Sequence, residues 1–390
     1  MSKIPLKNPQ MPNPENEEVS SDPAELAEQV KYLKNQLYKV TRSIAHVRES
    51  GLDEGEVRGV YPNLVMSDMF QACWEKFFRF MDVEPRFVAP SSEHCKVNAE
   101  DMIALCDDKT IGMVAIMGNH YTGHYDPVWD LDEALTKLNK EKGYQIGLHV
   151  DAASGGFIAP FQPEVPAWDF RLPNVLSISA SGHKFGASVC GTGWVVFRER
   201  TDLAEHVAVS VSYLGGDADS YTLNFSRLDP AHVHVCMMYD VCMTACLHQW
   251  FLRSHTHCYS FAGTGKKRFV IMDDGDTACL PVVSARLNPD LRLPFTDIDF
   301  QHQLSEQHWY VSGYSLRFEH PISKMLLPLF NDTPKSATMF RVVVKSNLTR
   351  ELAEDLVKQV EATLKEMDSQ GTGFKMKHKA AKLAHRPSVC

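Results

Sequence analysis

Lys184 stands in the run Ser-Ala-Ser-Gly-His-Lys-Phe-Gly, Ser179 to Gly186, and Asp151 in His-Val-Asp-Ala-Ala-Ser-Gly-Gly-Phe, His149 to Phe157. An amine can hold an aldehyde as a Schiff base, and a carboxylate can keep the nitrogen of a pyridine ring protonated. Together they are what an aldehyde carried on a pyridine ring requires. Each residue follows an apolar run: Ile146, Leu148 and Val150 lead to Asp151, and Val175, Leu176, Ile178 and Ala180 lead to Lys184. Such runs read as buried strands. In an open α/β sheet ligands bind at the carboxyl ends of parallel strands, so two neighbouring strands would present both groups to one ring.

Pyridoxal 5'-phosphate (PLP) is the cofactor with that demand. The plainer alternatives are an Asp151 that caps a following helix and a Lys184 whose ammonium rests in water. Against the second, Gly182, His183, Phe185 and Gly186 surround Lys184 directly after a buried strand. Desolvation in that setting would lower a lysine pKa toward reactivity.

Five further phrases carry a resemblance: Pro-Asn-Leu-Val (Pro62 to Val65), Gln-Ala-Cys-Trp-Glu-Lys-Phe (Gln71 to Phe77), Trp-Asp-Phe-Arg-Leu-Pro (Trp168 to Pro173), Tyr-Leu-Gly-Gly (Tyr213 to Gly216) and Asn-Phe-Ser-Arg (Asn224 to Arg227). From about Pro62 to Arg227 the chain resembles the glutamate decarboxylases of the bacterial, plant and fungal type, which are fold-type I, group II PLP decarboxylases. The Ser-Gly-His-Lys core indicates group II, and the flanking phrases narrow it. The resemblance implies decarboxylation of L-glutamate to 4-aminobutanoate in an enzyme that is a dimer or larger. It also implies a seven-stranded, mainly parallel sheet with helices on both faces and a smaller C-terminal α+β domain.

By the same resemblance, Lys184 binds the cofactor aldehyde, Asp151 pairs with the ring nitrogen and His183 lies near the reacting carbon. Gln71 and Ala153 pack on the two ring faces. Ser181 donates to the phosphate, and Ser226 reaches the phosphate in a neighbouring subunit. Thr122 and His120 lie near the phenolic oxygen, His120 in place of the family's threonine; a histidine there is bulkier and titrates near neutrality. Arg341, in Phe-Arg-Val-Val-Val-Lys, holds the substrate's α-carboxylate. The residues alone leave alternatives open. Ser181 and Ser226 could be turn hydroxyls, Gln71 the polar position of an amphipathic helix, and Arg341 a strand-edge arginine in a surface ion pair.

The elements needed to position these groups alternate along the chain. A strand near Leu64 precedes a helix over Asp68 to Met81, a strand near Phe87 precedes a helix opened by Asn98, and Thr110 to Met117 forms another strand. Leu131, Ala134, Leu135 and Leu138 mark a helix that stops at Gly143. This is βαβ logic and predicts a mainly parallel sheet. After Pro281 the pattern changes to strands at Val282 to Leu287 and Met339 to Lys345, then a helix from Leu352 to Met367 with Leu356, Val360 and Leu364 on its stripe. The expected organisation is a polar leader (1–21), a divergent heptad-patterned helix (22–60), a cofactor-binding domain (61–280), a small domain (281–370) and a basic tail (371–390).

With 390 residues, 44% of them hydrophobic and 23% charged, the chain can bury a sizeable core. A net charge of −9 argues against a nucleic-acid surface. No apolar run approaches a membrane span, and the leader lacks a signal-peptide core. Ten cysteines without a Cys-x-x-Cys fit a reduced, cytoplasmic protein.

Three stretches depart from the resemblance. Before about Val60 the family's N-terminal region and its Gly-Ser-Ser-Glu phosphate turn have no counterpart. Leu26, Val30, Leu33, Leu37, Val40, Ile44 and Val47 recur there instead, as in a dimerising helix or an ordinary amphipathic one. Between His232 and Lys267 the family's long helix gives way to a His- and Cys-rich stretch. In it Cys242, Cys246 and His248 could ligate a metal, but their spacing is not a standard zinc pattern and the cysteines read rather as buried thiols. The tail bears Lys375, Lys377, Lys379, Lys382 and Arg386 without the tryptophan anchor of a calmodulin target, so it reads as solvated. These departures leave two other functions open: a catalytically impaired homologue acting by association, and a decarboxylase of another amino acid.

Overall fold

The computed structural model describes residues 61–92, 95–186, 188, 190–203, 209–213, 216–220, 268–272, 279–330, 337–344 and 348–371. The chain divides into two units, Met1–Val60 and Tyr61–Cys390, and all the described residues belong to the second. The heptad helix, the His- and Cys-rich stretch, the basic tail and Ser226 lie outside the described residues.

A six-stranded sheet has the order β2-β1-β3-β4-β5-β6, one strand fewer among the described residues than the resemblance implies. Its strands are β1 (Asn63–Ser67), β2 (Glu84–Val88), β3 (Thr110–Ile116), β4 (Leu148–Asp151), β5 (Val175–Ser181) and β6 (Gly193–Phe197). All neighbours are parallel except β5 and β6. β1 is buried throughout and β3 over Met113–Ile116, as expected of strands covered on both faces. The crossovers are helices α1 (Ala72–Phe80), α2 (Ala99–Ala104) and α3 (Val128–Lys142). α3 buries Val128, Leu131 and Leu135 against Met113, Ala115, Leu148 and Val150, and it ends at Gly143 in the left-handed conformation. The Asn98 side chain caps α2 by accepting from Glu100 N at 2.8 Å.

Two helix boundaries differ from the sequence expectation. α1 starts after Gln71, its N-cap, rather than at Asp68, because Asp68 N still bonds Val88 O at 3.1 Å and continues the strand pairing. In the last helix, α5 (Arg350–Gln370), Leu352 is exposed. The buried stripe begins one residue later at Ala353 and continues through Leu356, Val360, Leu364 and Met367.

A second, antiparallel sheet has the order β11-β12-β10-β9 and comprises β9 (Phe269–Ile271), β10 (Val282–Leu287), β11 (Ser312–Leu316) and β12 (Ala337–Val343). α4 (Asp297–Glu306) and α5 cover it, with Phe300, Phe340, Leu304 and Leu356 at the centre of their core. A hairpin of β7 (Val209–Tyr213) and β8 (Gly216–Ser220) stands apart in pairing.

The loop after β3 joins the two sheets. Leu280 N donates to Gly123 O at 2.9 Å, and Ser284 Oγ donates to Tyr121 O at 3.0 Å. Gly123 has φ +82°, and a Cβ there would meet Val282 Cγ2 at 2.4 Å, so both backbone sign and space require glycine. Among the described residues no helix is long and apolar enough to cross a membrane.

Candidate active site

Asp151 and Ser179 are register partners on the parallel strands β4 and β5, which brings the carboxyl ends of both strands to the same side of the sheet, β5 running two residues further to Ser181. The chain beyond each strand is stitched to the other, because Ser181 N donates to Ala153 O at 3.1 Å. Lys184 follows in a tight turn closed by Gly182 N to Thr192 O at 3.0 Å and Ser188 N to Gly182 O at 2.9 Å. This puts an amine beside a carboxylate at the carboxyl ends of adjacent strands.

The electrostatics tie the pair together. Burial lowers the Lys184 pKa from the ordinary lysine value. The Asp151 carboxylate and Cys73 act against that shift, and the Arg341 cation adds to it. Asp151 is 8% exposed, and each of its oxygens accepts a hydrogen bond: Oδ2 from Trp74 Nε1 at 2.7 Å, Oδ1 from Ala153 N at 3.1 Å. Trp74 is one turn into α1, and its indole also meets His149 edge-on at 5.7 Å between ring centres. His149, in turn, bonds Ser177 Oγ at 2.8 Å through Nδ1 and Ser179 Oγ at 3.3 Å through Nε2. Burial holds its pKa below the usual histidine value against the pull of Asp151. The Cys73 thiol is raised by desolvation and by Asp151, with Lys184 opposing.

Arg341 reaches this cluster from β12. It donates through an Nη atom to the His120 carbonyl, and its guanidinium lies 5.5 Å from the centre of the Tyr314 ring. Its Nε is buried and has no hydrogen-bond partner. Burial lowers its pKa, with Tyr314 acting against the shift. The His120 ring packs edge-on against Tyr121 and Tyr314. Its pKa falls to about 4, first through burial and then through the Arg341 and Lys184 cations. This corrects the expectation of a group titrating near neutrality: two neighbouring positive charges and a desolvated ring keep His120 neutral. A cavity of about 390 Å³ is lined by Gln71, His120, Tyr121, Tyr314, Arg317 and Glu319, among others.

Lys184 is thus brought within electrostatic reach of Asp151, His120 and Arg341, with Ala153 bonded to Asp151 and Gln71 on the wall of the cavity that His120 also lines. Ser181 is half-buried at the end of β5. Two predicted residues sit differently. The Thr122 hydroxyl is taken up within its own turn, accepting from Asn119 Nδ2 and bonding His124 Nδ1, both at 2.8 Å. His183 is exposed beside Lys184 in the turn.

The donor set fits PLP: an amine of lowered proton affinity, a carboxylate at the neighbouring strand end, and a guanidinium with a free N–H, all converging on one edge of the sheet. The sequence reading did not single out Trp74 and Tyr314. Trp74 lies three positions after Gln71 in a phrase noted only for its resemblance, and this helical spacing could have signalled a shared face. Tyr314 carries no local signal.

Residues 37–258, more than half the chain, match the model of the pyridoxal-dependent decarboxylase conserved domain. The chain belongs to the pyridoxal-dependent decarboxylase family. It is 34% identical over 314 residues to glutamate decarboxylase beta of Listeria monocytogenes, covering 79% of this chain and 63% of that protein. It is 38% identical over 272 residues to glutamate decarboxylase of Lactococcus lactis, covering 68% of this chain and 56% of that one. This decarboxylase-family chain therefore spans less than two thirds of the length of either relative. A solved structure of Lactobacillus brevis glutamate decarboxylase superposes with a TM-score of 0.67 at 31% identity, over 84% of this chain and 70% of the other. The fold is that of the fold-type I PLP enzymes, and the family's cofactor is PLP.

Proposed function

We propose that the protein removes the α-carboxylate of L-glutamate as carbon dioxide and returns a proton to the α-carbon, giving 4-aminobutanoate. The observation that carries this reading is the Asp151–Lys184 pair at the carboxyl ends of paired parallel strands; the resemblance to the glutamate decarboxylases supplies the substrate. When bound, PLP supplies an electron sink for the pair left behind as carbon dioxide departs.

The chain's own residues do the rest. Lys184 Nζ, made less basic by burial, would hold the cofactor by its aldehyde carbon. Asp151 would keep a proton on the ring nitrogen through an ionic hydrogen bond. Arg341 offers its free Nε–H and its charge to the substrate's α-carboxylate and so sets the direction of the bond that breaks. Gln71 and Ala153 would pack against the two faces of the cofactor's ring. The Lys184–His183 turn provides the proton that replaces the carboxylate, so each turnover consumes one proton. Ser181 would hold the phosphate, and the resemblance gives Ser226 of a second subunit the same role, which would require a homo-oligomer.

Carbon dioxide release from glutamate, compared with aspartate and aromatic amino acids, tests the proposal. Preferential release from glutamate supports it. Release from another amino acid would reassign the substrate. No release from a chain that binds PLP would favour a catalytically impaired relative.

A further inference from the structure

We infer that Trp74 is a positioning residue for the cofactor: its indole N–H fixes the rotation of the Asp151 carboxylate so that a lone pair on that group stays aimed at the ring nitrogen. This rests on the reading of Asp151 given above and extends it to a residue outside the predicted site. A carboxylate on a short side chain can rotate about its Cβ–Cγ bond, and a single anchor leaves that rotation free. Here two donors grip it, one on each oxygen: Trp74 Nε1 on Oδ2 at 2.7 Å and Ala153 N on Oδ1 at 3.1 Å. An ionised carboxylate offers about four acceptor sites, so a ring N–H can still be accepted beside these two.

The indole is itself held. It packs edge-on against Phe77 at 5.8 Å and His149 at 5.7 Å between ring centres. His149 is anchored to Ser177 and Ser179 on β5. The chain of contacts runs from β5 through His149 and Trp74 to Asp151, so the strand that leads to Lys184 also orients the carboxylate opposite it. The two donors differ in kind. Ala153 N is backbone and only a proline, which would also constrain the chain, could remove it, whereas the Trp74 N–H can be deleted while the ring's packing is largely kept.

The test uses the full chain with PLP, comparing Trp74→Phe, Trp74→His and Asp151→Asn. PLP affinity is read from equilibrium binding, and ring-nitrogen protonation from the ¹⁵N chemical shift of PLP labelled at that nitrogen. Melting of the cofactor-free proteins controls for folding. We expect Trp74→Phe to weaken PLP binding roughly tenfold, the size associated with losing one hydrogen bond to a charged group, and to move the nitrogen shift toward the unprotonated value. Trp74→His, which retains a ring N–H, should recover part of both. Equal weakening in Phe and His variants would show a packing role and overturn the inference. An unchanged Trp74→Phe with a weakened Asp151→Asn would overturn it while leaving the role of Asp151 standing. An unchanged Asp151→Asn would overturn the reading of Asp151 and the inference with it.

Discussion

Arg341 donates to the backbone carbonyl of His120, and the same guanidinium helps hold the His120 ring neutral. One cation from the antiparallel sheet thus anchors the loop at the end of β3 while keeping its Nε free. If that Nε and charge hold the substrate's α-carboxylate, Arg341→Ala should lower kcat/KM on glutamate by at least about thirtyfold, corresponding to about 2 kcal/mol or more for truncating one partner of a buried charge pair. PLP uptake should remain intact. Arg341→Lys should recover little, because an ammonium cannot replace the planar fork. Steady-state kinetics beside a PLP binding curve checks this.

His120 contributes a pH dependence whose sign follows from its lowered pKa. The unfolded chain takes up a proton near the ordinary histidine value of about 6.5, whereas the folded chain resists until about 4. The unfolded state therefore binds more protons in this window, and stability falls as pH drops from about 6.5 toward 4. His120→Gln should lose less stability over that interval than the parent chain. Urea midpoints at pH 7 and pH 4.5 measure the difference.

Asp68 has the opposite sign. It is 1% exposed, neither carboxylate oxygen has a hydrogen-bond partner on another residue, and desolvation raises its pKa well above the usual carboxylate value. Below the ordinary carboxylate range both states are protonated and nothing is lost. As pH rises the unfolded chain ionises first, and stability is lost up to the folded pKa. Asp68→Ala should therefore gain roughly 1–3 kcal/mol at pH 8, the usual cost of an unsatisfied buried polar group, and less at pH 4. Denaturant unfolding at the two values decides it.

Much of this was legible in the sequence, for a physical reason. Lys184 and Asp151 follow apolar runs whose strands pair in parallel, and parallel pairing fixes which ends lie on the same side of the sheet, so the two groups could be brought together on paper. The helix ended by Gly143 and the cap at Asn98 were equally local signals. What the sequence hid depends on contacts across distant segments. His120 is neutral because of Arg341, far along the chain, and Thr122 spends its hydroxyl on Asn119 and His124. Trp74 finds Asp151 only once α1 lies beside β4. The start of α1 was misplaced because Asp68 still takes part in strand pairing, which no periodicity reveals.

Gly186 tests how tightly the lysine turn must be drawn. A Cβ at this position would lie 2.7 Å from Gly182 O and 3.1 Å from the Phe157 ring. The first of these neighbours is backbone and cannot swing away. Gly186→Ala should open the turn and displace Lys184, slowing carbon dioxide release about tenfold to a hundredfold, as expected when a reacting group moves by roughly 1 Å. The melting temperature of the cofactor-free chain should fall much less, and comparing the two separates local displacement from unfolding.

The central claim is that Lys184 is the amine that carries PLP, opposite Asp151. The most direct measurement is borohydride reduction of the PLP-loaded full chain followed by peptide mapping. A stable phosphopyridoxyl group is expected on Lys184, and none trapped in Lys184→Ala. A reduced adduct on a different lysine, or equal trapping in Lys184→Ala, would contradict it.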